Sequence, residues 1–287
     1  MIYWWHKLYR SLIHYNNTIT VCFKKILVII PLFVLGALVS VADANHSWGG
    51  YHWARTANPF TLQLGDNVST AWDGYLVTTA SDWSTSTMLD TTVRPGNTKP
   101  RLCKPTNGRV EVCNEKYGNN GLLGIAQIWV SGGTHITQGI VKMNDTYFNT
   151  ASYNTPAWRN LVMCQEVGHT LGLNHQDEDF TNPNLDTCMD YTNSPATNQH
   201  PNSHDYEMLG ALYTHLDSIT TLLASTATQQ KGNSNNAPSQ GIGKDIDLSN
   251  ASAWGDVVKE DARHRSSLYR RDLGNGVEVF THVTWAE

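Results

Sequence analysis

The run Gln165-Glu166-Val167-Gly168-His169-Thr170-Leu171-Gly172-Leu173-Asn174-His175 groups side chains that can hold a metal ion and work beside it. On a helix, four residues span about 400°, so Gln165 and His169 differ in direction by only about 40° and can face one ion. Glu166 lies about 60° from His169 on the other side, placed to meet a water molecule at that ion without binding the ion itself. Gly172 can take a left-handed conformation and release the chain from the helix, letting His175 return as a third ligand. Two imidazoles and one further group leave a position open for water, the arrangement a catalytic zinc requires. Bound zinc acidifies water and polarises a carbonyl, so the chemistry implied is hydrolysis.

The spacing matches the extended zincin motif H-E-x-x-H-x-x-G-x-x-H at every defined position except the first, and Cys188-Met189-Asp190-Tyr191 follows at the distance of a Met-turn. On these residues the chain resembles a metzincin and is most similar to the matrixin-type secreted peptidases, over roughly residues 51–216. The resemblance implies an α+β catalytic domain of the α/β-type metzincin kind: a twisted mixed sheet over two long helices, the active-site helix followed by a Met-turn, and a substrate cleft between. It implies zinc held by Gln165, His169 and His175, with Glu166 as general base and the methionine as a floor beneath the metal. Tyr191, two residues after that methionine, stands where some metzincins steady the oxyanion or bind the metal. Two features depart from the pattern. The first ligand is glutamine, a weaker donor to zinc than imidazole. The structural calcium and zinc loop and the propeptide cysteine of matrixins have no visible counterpart.

The elements that must position these groups follow from local pattern. Residues 51–64 read as a strand entering the domain. Residues 69–83 place Trp72, Tyr75, Leu76, Ala80 and Trp83 at helical spacing. Residues 94–121, rich in Pro, Gly, Asn and Lys, read as a long loop. Residues 125–130 form a buried strand and 136–144 an edge strand. Pro156 opens a helix that runs through the motif to Gly172. Ser203 caps a last helix with Tyr206, Leu209, Tyr213 and Leu216 on one face. His135, His200, His204 and His215 are read as ordinary histidines rather than substitute ligands. Residues 226–250, rich in Gln, Asn, Ser and Gly, form a linker or disordered loop. The tail, 251–287, has a turn at Gly274-Asn275-Gly276 followed by alternating Val277, Val279 and Thr281; it is too short to fold alone and is expected to pack on the main domain, 45–225.

Composition narrows the function class. A formal net charge of −5 without a basic stripe argues against nucleic-acid binding. Lys24 and Lys25 precede an apolar run to Val41 and then Ala42-Asp43-Ala44, the pattern of a signal peptide over 1–44 and hence of secretion, with membrane contact only if that segment stays uncleaved. Beyond it lie Cys103, Cys113, Cys164 and Cys188; an even count in an exported protein indicates disulfides, and spacing favours 103–113 and 164–188. Cys164 faces away from the metal side of its helix, which suits a bridge to Cys188. The expectation is therefore a secreted, monomeric zinc metalloendopeptidase acting on protein or peptide substrates laid along the edge strand. The alternative is a degenerate metzincin-like protein that binds peptide or matrix without cutting; Glu166 favours the first and Gln165 the second.

Overall fold

The computed structural model describes residues 46–223 and 250–287. The proposed signal peptide and nearly all of the linker lie outside them. The elements run β1 (His52–Trp53), β2 (Phe60–Asn67), α1 (Asp73–Trp83), β3 (Leu89–Pro95), β4 (Val110–Glu115), β5 (Leu122–Ser131), β6 (His135–Asn144), the single-turn α2 (Asp145–Phe148), α3 (Pro156–Thr170), α4 (Ser203–Leu212), β7 (Asp256–Glu260), β8 (Ser266–Asp272) and β9 (Val277–Trp285). The strands make one mixed sheet in the order β3-β2-β4-β6-β5-β9-β8-β7, with β1 beside β6. With a few helices against it, this is an α+β architecture.

Strands β2, β3, β4 and β6 pair in parallel, whereas β5 and the β7–β9 meander are antiparallel. Helix α3 packs on β5, β6 and β9, and α1 packs on α3 and β3. The main core, between helices and sheet, holds Trp53, Trp72, Leu76, Trp83, Val162 and Val167. A smaller cluster of Trp129, Ile140, Trp254, Val279 and Val283 covers the other face of the sheet.

Several expectations change. The strand expected over 51–64 is two strands separated by irregular chain. The helix expected from Ser69 begins at Asp73, after a turn closed by Trp72 N–H donating to Ser69 carbonyl. The stretch 94–121 is not all loop: β4 lies within it, buried between β2 and β6 and tied by the Cys103–Cys113 disulfide. Strand β6 is not an edge. It lies between β4 and β5 and its C-terminal half is buried, which is why its side chains do not alternate. Helix α4 is capped by Asn202, whose side chain accepts from His204 and Asp205 N–H while the Asp205 carboxylate accepts from Asn202 N–H, so Ser203 is its first helical residue. Among the described residues no helix is long and apolar enough to cross a membrane.

Candidate metal centre

Helix α3 starts where Thr155 accepts from Trp158 N–H and Pro156 occupies the first turn. It ends at Thr170, and Gly172, with φ +93°, turns the chain out. A Cβ there would meet the Tyr51 carbonyl oxygen at 2.1 Å, so only glycine fits this exit. Trp48 N–H donates to Gly172 carbonyl and Asn174 N–H to His46 carbonyl, pinning the returning segment beneath the start of the domain. Beyond it, Gln176 N–H donates to Met189 carbonyl and Tyr191 N–H to Asp177 carbonyl, so the His175 loop and the Met189 segment lie side by side. The Cys164–Cys188 disulfide joins that segment to α3, the pairing that spacing favours. Gly168 lets Met189 and Trp83 approach the helix: a Cβ would stand 2.5 Å from Met189 Sδ.

The structure brings His169 and His175 together with a third histidine, His282 of β9. The His169 Nδ1–H donates to Leu173 carbonyl at 2.9 Å, and the His175 Nδ1–H donates to the Glu178 carboxylate at 2.8 Å. Each ring therefore turns its Nε2 inward, and the two Nε2 atoms face each other at 3.0 Å. The His282 ring stacks on His169 with centroids 3.9 Å apart and planes 2° apart, and neither of its nitrogens has a hydrogen-bond partner among the described residues. Burial holds His169 and His282 well below the usual histidine pKa, so both stay neutral donors. Three buried imidazoles whose inward nitrogens lie this close together fit a borderline-soft divalent ion such as zinc.

Glu166 is fully buried beside this cluster, and neither carboxylate oxygen has a hydrogen-bond partner among the described residues. Burial pushes its pKa up to about 8, with the neighbouring Thr284 hydroxyl opposing the shift. Gly124 of β5 makes room for it, since a Cβ there would lie 2.5 Å from Glu166 Oε1. The Tyr191 ring lies against His175, centroids 4.1 Å apart, and stacks on Phe180. Its hydroxyl is unpartnered among the described residues, and burial raises its pKa well above the usual tyrosine value, so it stays protonated. Gln165 is buried too, and its amide oxygen accepts from the Thr284 hydroxyl at 2.9 Å.

Strand β9 also closes the site. It pairs along the whole outer edge of β5, so that edge is not open to an extended peptide. Its register sets Ala126 opposite His282 and Gly124 opposite Thr284. Strand alternation then aims Phe280, His282 and Thr284 at α3, and Val279 and Val283 at the smaller core. Trp48 covers His282 with ring centroids 3.9 Å apart, and Lys259 of β7 pairs with Glu178, the residue that orients His175. His169, His175 and His282 are no more than 5% exposed.

No family model matches the chain, and no curated protein is similar to it. A solved structure is. High choriolytic enzyme 1, a hatching-enzyme zinc-protease from the medaka fish Oryzias latipes, aligns at a TM-score of 0.32 and 10% sequence identity, over 57% of this chain and 94% of that one.

Proposed function

We propose that the protein is a secreted zinc-dependent metalloendopeptidase of matrixin-like type, with His169, His175 and His282 holding the ion and Glu166 as general base. The observation that carries the reading is the meeting of bare, buried imidazole nitrogens beside an unpartnered carboxylate. When bound, zinc supplies Lewis-acid chemistry, acidifying water and polarising a substrate carbonyl. The chain supplies the rest. Leu173 carbonyl and Glu178 fix the rings of the two motif histidines, as outer partners of metal-binding histidines do. Burial alone raises the Glu166 pKa to about 8, and a nearby cation would favour its ionised form, in which it would take a proton from water and return it to a leaving amine. The protonated Tyr191 hydroxyl is a donor for the oxyanion. Gln165, expected as the first ligand, is better employed as the partner of Thr284 that docks β9.

A second reading has its own support. With β9 on the outer edge of β5 and the cluster almost fully buried, a binding protein without turnover also fits. Metal analysis of the purified chain beside a casein turnover assay separates the two. The peptidase reading expects zinc bound and casein cut, with Glu166→Ala keeping the zinc and losing about 10²–10⁴-fold in rate. Unchanged turnover in Glu166→Ala overturns the assignment. Zinc without turnover in the wild type leaves the binding reading.

A further inference from the structure

We infer that the protein holds a second, structural metal ion, bound by His52, His215 and Asp217 with His135 closing the shell. His52 comes from β1 and His135 from the start of β6, while His215 and Asp217 lie on the segment that follows α4. None belongs to the zincin motif or to the stapled loop before β5. Read singly along the sequence, these histidines look ordinary; folding brings their Nε2 atoms to one carboxylate oxygen. Asp217 Oδ1 lies 3.5 Å from His52 Nε2, 3.3 Å from His135 Nε2 and 3.8 Å from His215 Nε2, and the His52 and His215 Nε2 atoms are 3.1 Å apart. A tetrahedral zinc with bonds of about 2.0–2.2 Å sets its donors about 3.3–3.6 Å apart, the same scale as these four separations. His52, His215 and Asp217 form the tight group. His135 touches it through the carboxylate, its Nε2 3.3 Å from Asp217 Oδ1.

The atoms behind the donors are arranged as outer partners of metal ligands are. The His52 Nδ1–H donates to Gly50 carbonyl at 2.8 Å, which leaves its Nε2 bare. Arg55 donates to the other oxygen of Asp217 from its guanidinium at 2.9 Å and from its backbone N–H, leaving Oδ1 turned to the imidazoles. Three imidazoles and one carboxylate make a closed shell with no position reserved for substrate, the form of a structural rather than a catalytic zinc. The ion would clamp β1, β6 and the segment after α4, which otherwise rests on backbone bonds such as Asp217 N–H to Arg55 carbonyl and Thr221 N–H to Ala54 carbonyl.

The test uses the full chain, stripped with chelator and re-dialysed against Zn²⁺, with metal counted by mass spectrometry and a Co²⁺-loaded sample read for a tetrahedral visible band. Two equivalents are expected in the wild type, one in His215→Ala, one in His282→Ala and none in the double variant. His215 is half exposed, so its loss leaves the fold intact; His135→Ala, expected to weaken the second equivalent at least about 10-fold, is the companion should His215→Ala misfold. In His215→Ala casein turnover stays at the wild-type level while the melting temperature falls part of the way towards that of chelated wild type, because one ion is retained. A wild type holding one equivalent, kept in His215→Ala and lost in His282→Ala, refutes the second site and leaves the proposed function standing. One equivalent lost in His215→Ala and kept in His282→Ala supports the second site and removes the metal from the proposed catalytic cluster. No zinc in any form refutes both and leaves a hydrogen-bonded histidine cluster around Asp217.

Discussion

Glu166→Gln should make the metal-free protein more stable, not less. The Glu166 carboxylate is fully buried with both oxygens unpartnered, and its pKa rises from 4.5 to about 8. A carboxyl whose folded pKa lies above its unfolded value binds more protons in the native state. Its contribution is therefore fully present below pH 4.5 and is lost as the pH rises towards 8. Integrating between the two values gives a penalty of about 1 kcal/mol at pH 5 and about 3 kcal/mol at pH 7. Glutamine has nearly the shape of the neutral acid and carries no charge, so the variant should be stabilised by those amounts. Urea unfolding of chelated wild type and variant, disulfides intact, at pH 5 and pH 7 reads the difference directly. Added zinc should shrink the gap at pH 7, because a nearby cation favours the carboxylate. Equal stabilities at pH 7, or a gap that does not grow with pH, would refute the claim that Glu166 is held as a buried, unpaired acid. A residue that destabilises the fold and abolishes turnover when neutralised has a functional reason to be there.

Three further outcomes follow from the same geometry. Gly172→Ala forces a Cβ against the Tyr51 carbonyl at positive φ and should cost about 2–5 kcal/mol in denaturant unfolding, with loss of zinc affinity as His175 is displaced. Replacing both Cys164 and Cys188 by alanine opens a loop with a sequence separation of 24 and should cost about 3.5 kcal/mol, lowering stability and zinc retention together in thermal melts run with chelator competition. Gln165→His adds an imidazole on the His169 face of α3; chelator competition should show zinc held at least about 10-fold more tightly, while casein turnover falls because four imidazoles close the position reserved for water. A rise in turnover together with affinity would mean that residue 165, rather than His282, supplies the third ligand.

The helical half of the candidate site was legible because its geometry is local. Gln165, Glu166 and His169 sit on one helix, and Pro156 and Gly172 mark its ends with residue types whose backbone preferences are strong. What pattern reading lost was non-local. Strand β4 hides in a segment whose Pro, Gly and Asn content reads as loop, and only pairing with β2 and β6 makes Val110 and Val112 core residues. Strand β6 looks like an edge because half its side chains are polar, yet it is flanked on both sides. In the tail, Val277, Val279 and Thr281 announce a strand, but those residues serve the smaller core and the sheet. The opposite parity, Phe280, His282 and Thr284, carries the chemistry, and its partners lie more than a hundred residues back, Thr284 being 119 from Gln165. The available signal was the motif's own gap: a zincin pattern lacking its first imidazole calls for one elsewhere, and His282 sits on an alternating strand.

Gln165 and His282 are best understood as a matched pair. A histidine at position 165 would supply a ligand from the helix but would have no amide oxygen for Thr284. The Gln165 amide oxygen accepts from Thr284, two residues beyond His282 on the same face of β9. That bond, the stacking of His282 on His169 and the Lys259–Glu178 pair all hold the C-terminal meander against the motif helix. The three histidines proposed to hold the ion therefore meet only when β9 is docked on β5. With an ion bound there, metal affinity and docking of the tail would be linked, each favouring the other by the same coupling free energy. Under the peptidase reading, a substrate would reach the ion only if the strand that helps to hold it shifted, which would set a tension between retaining zinc and opening the site.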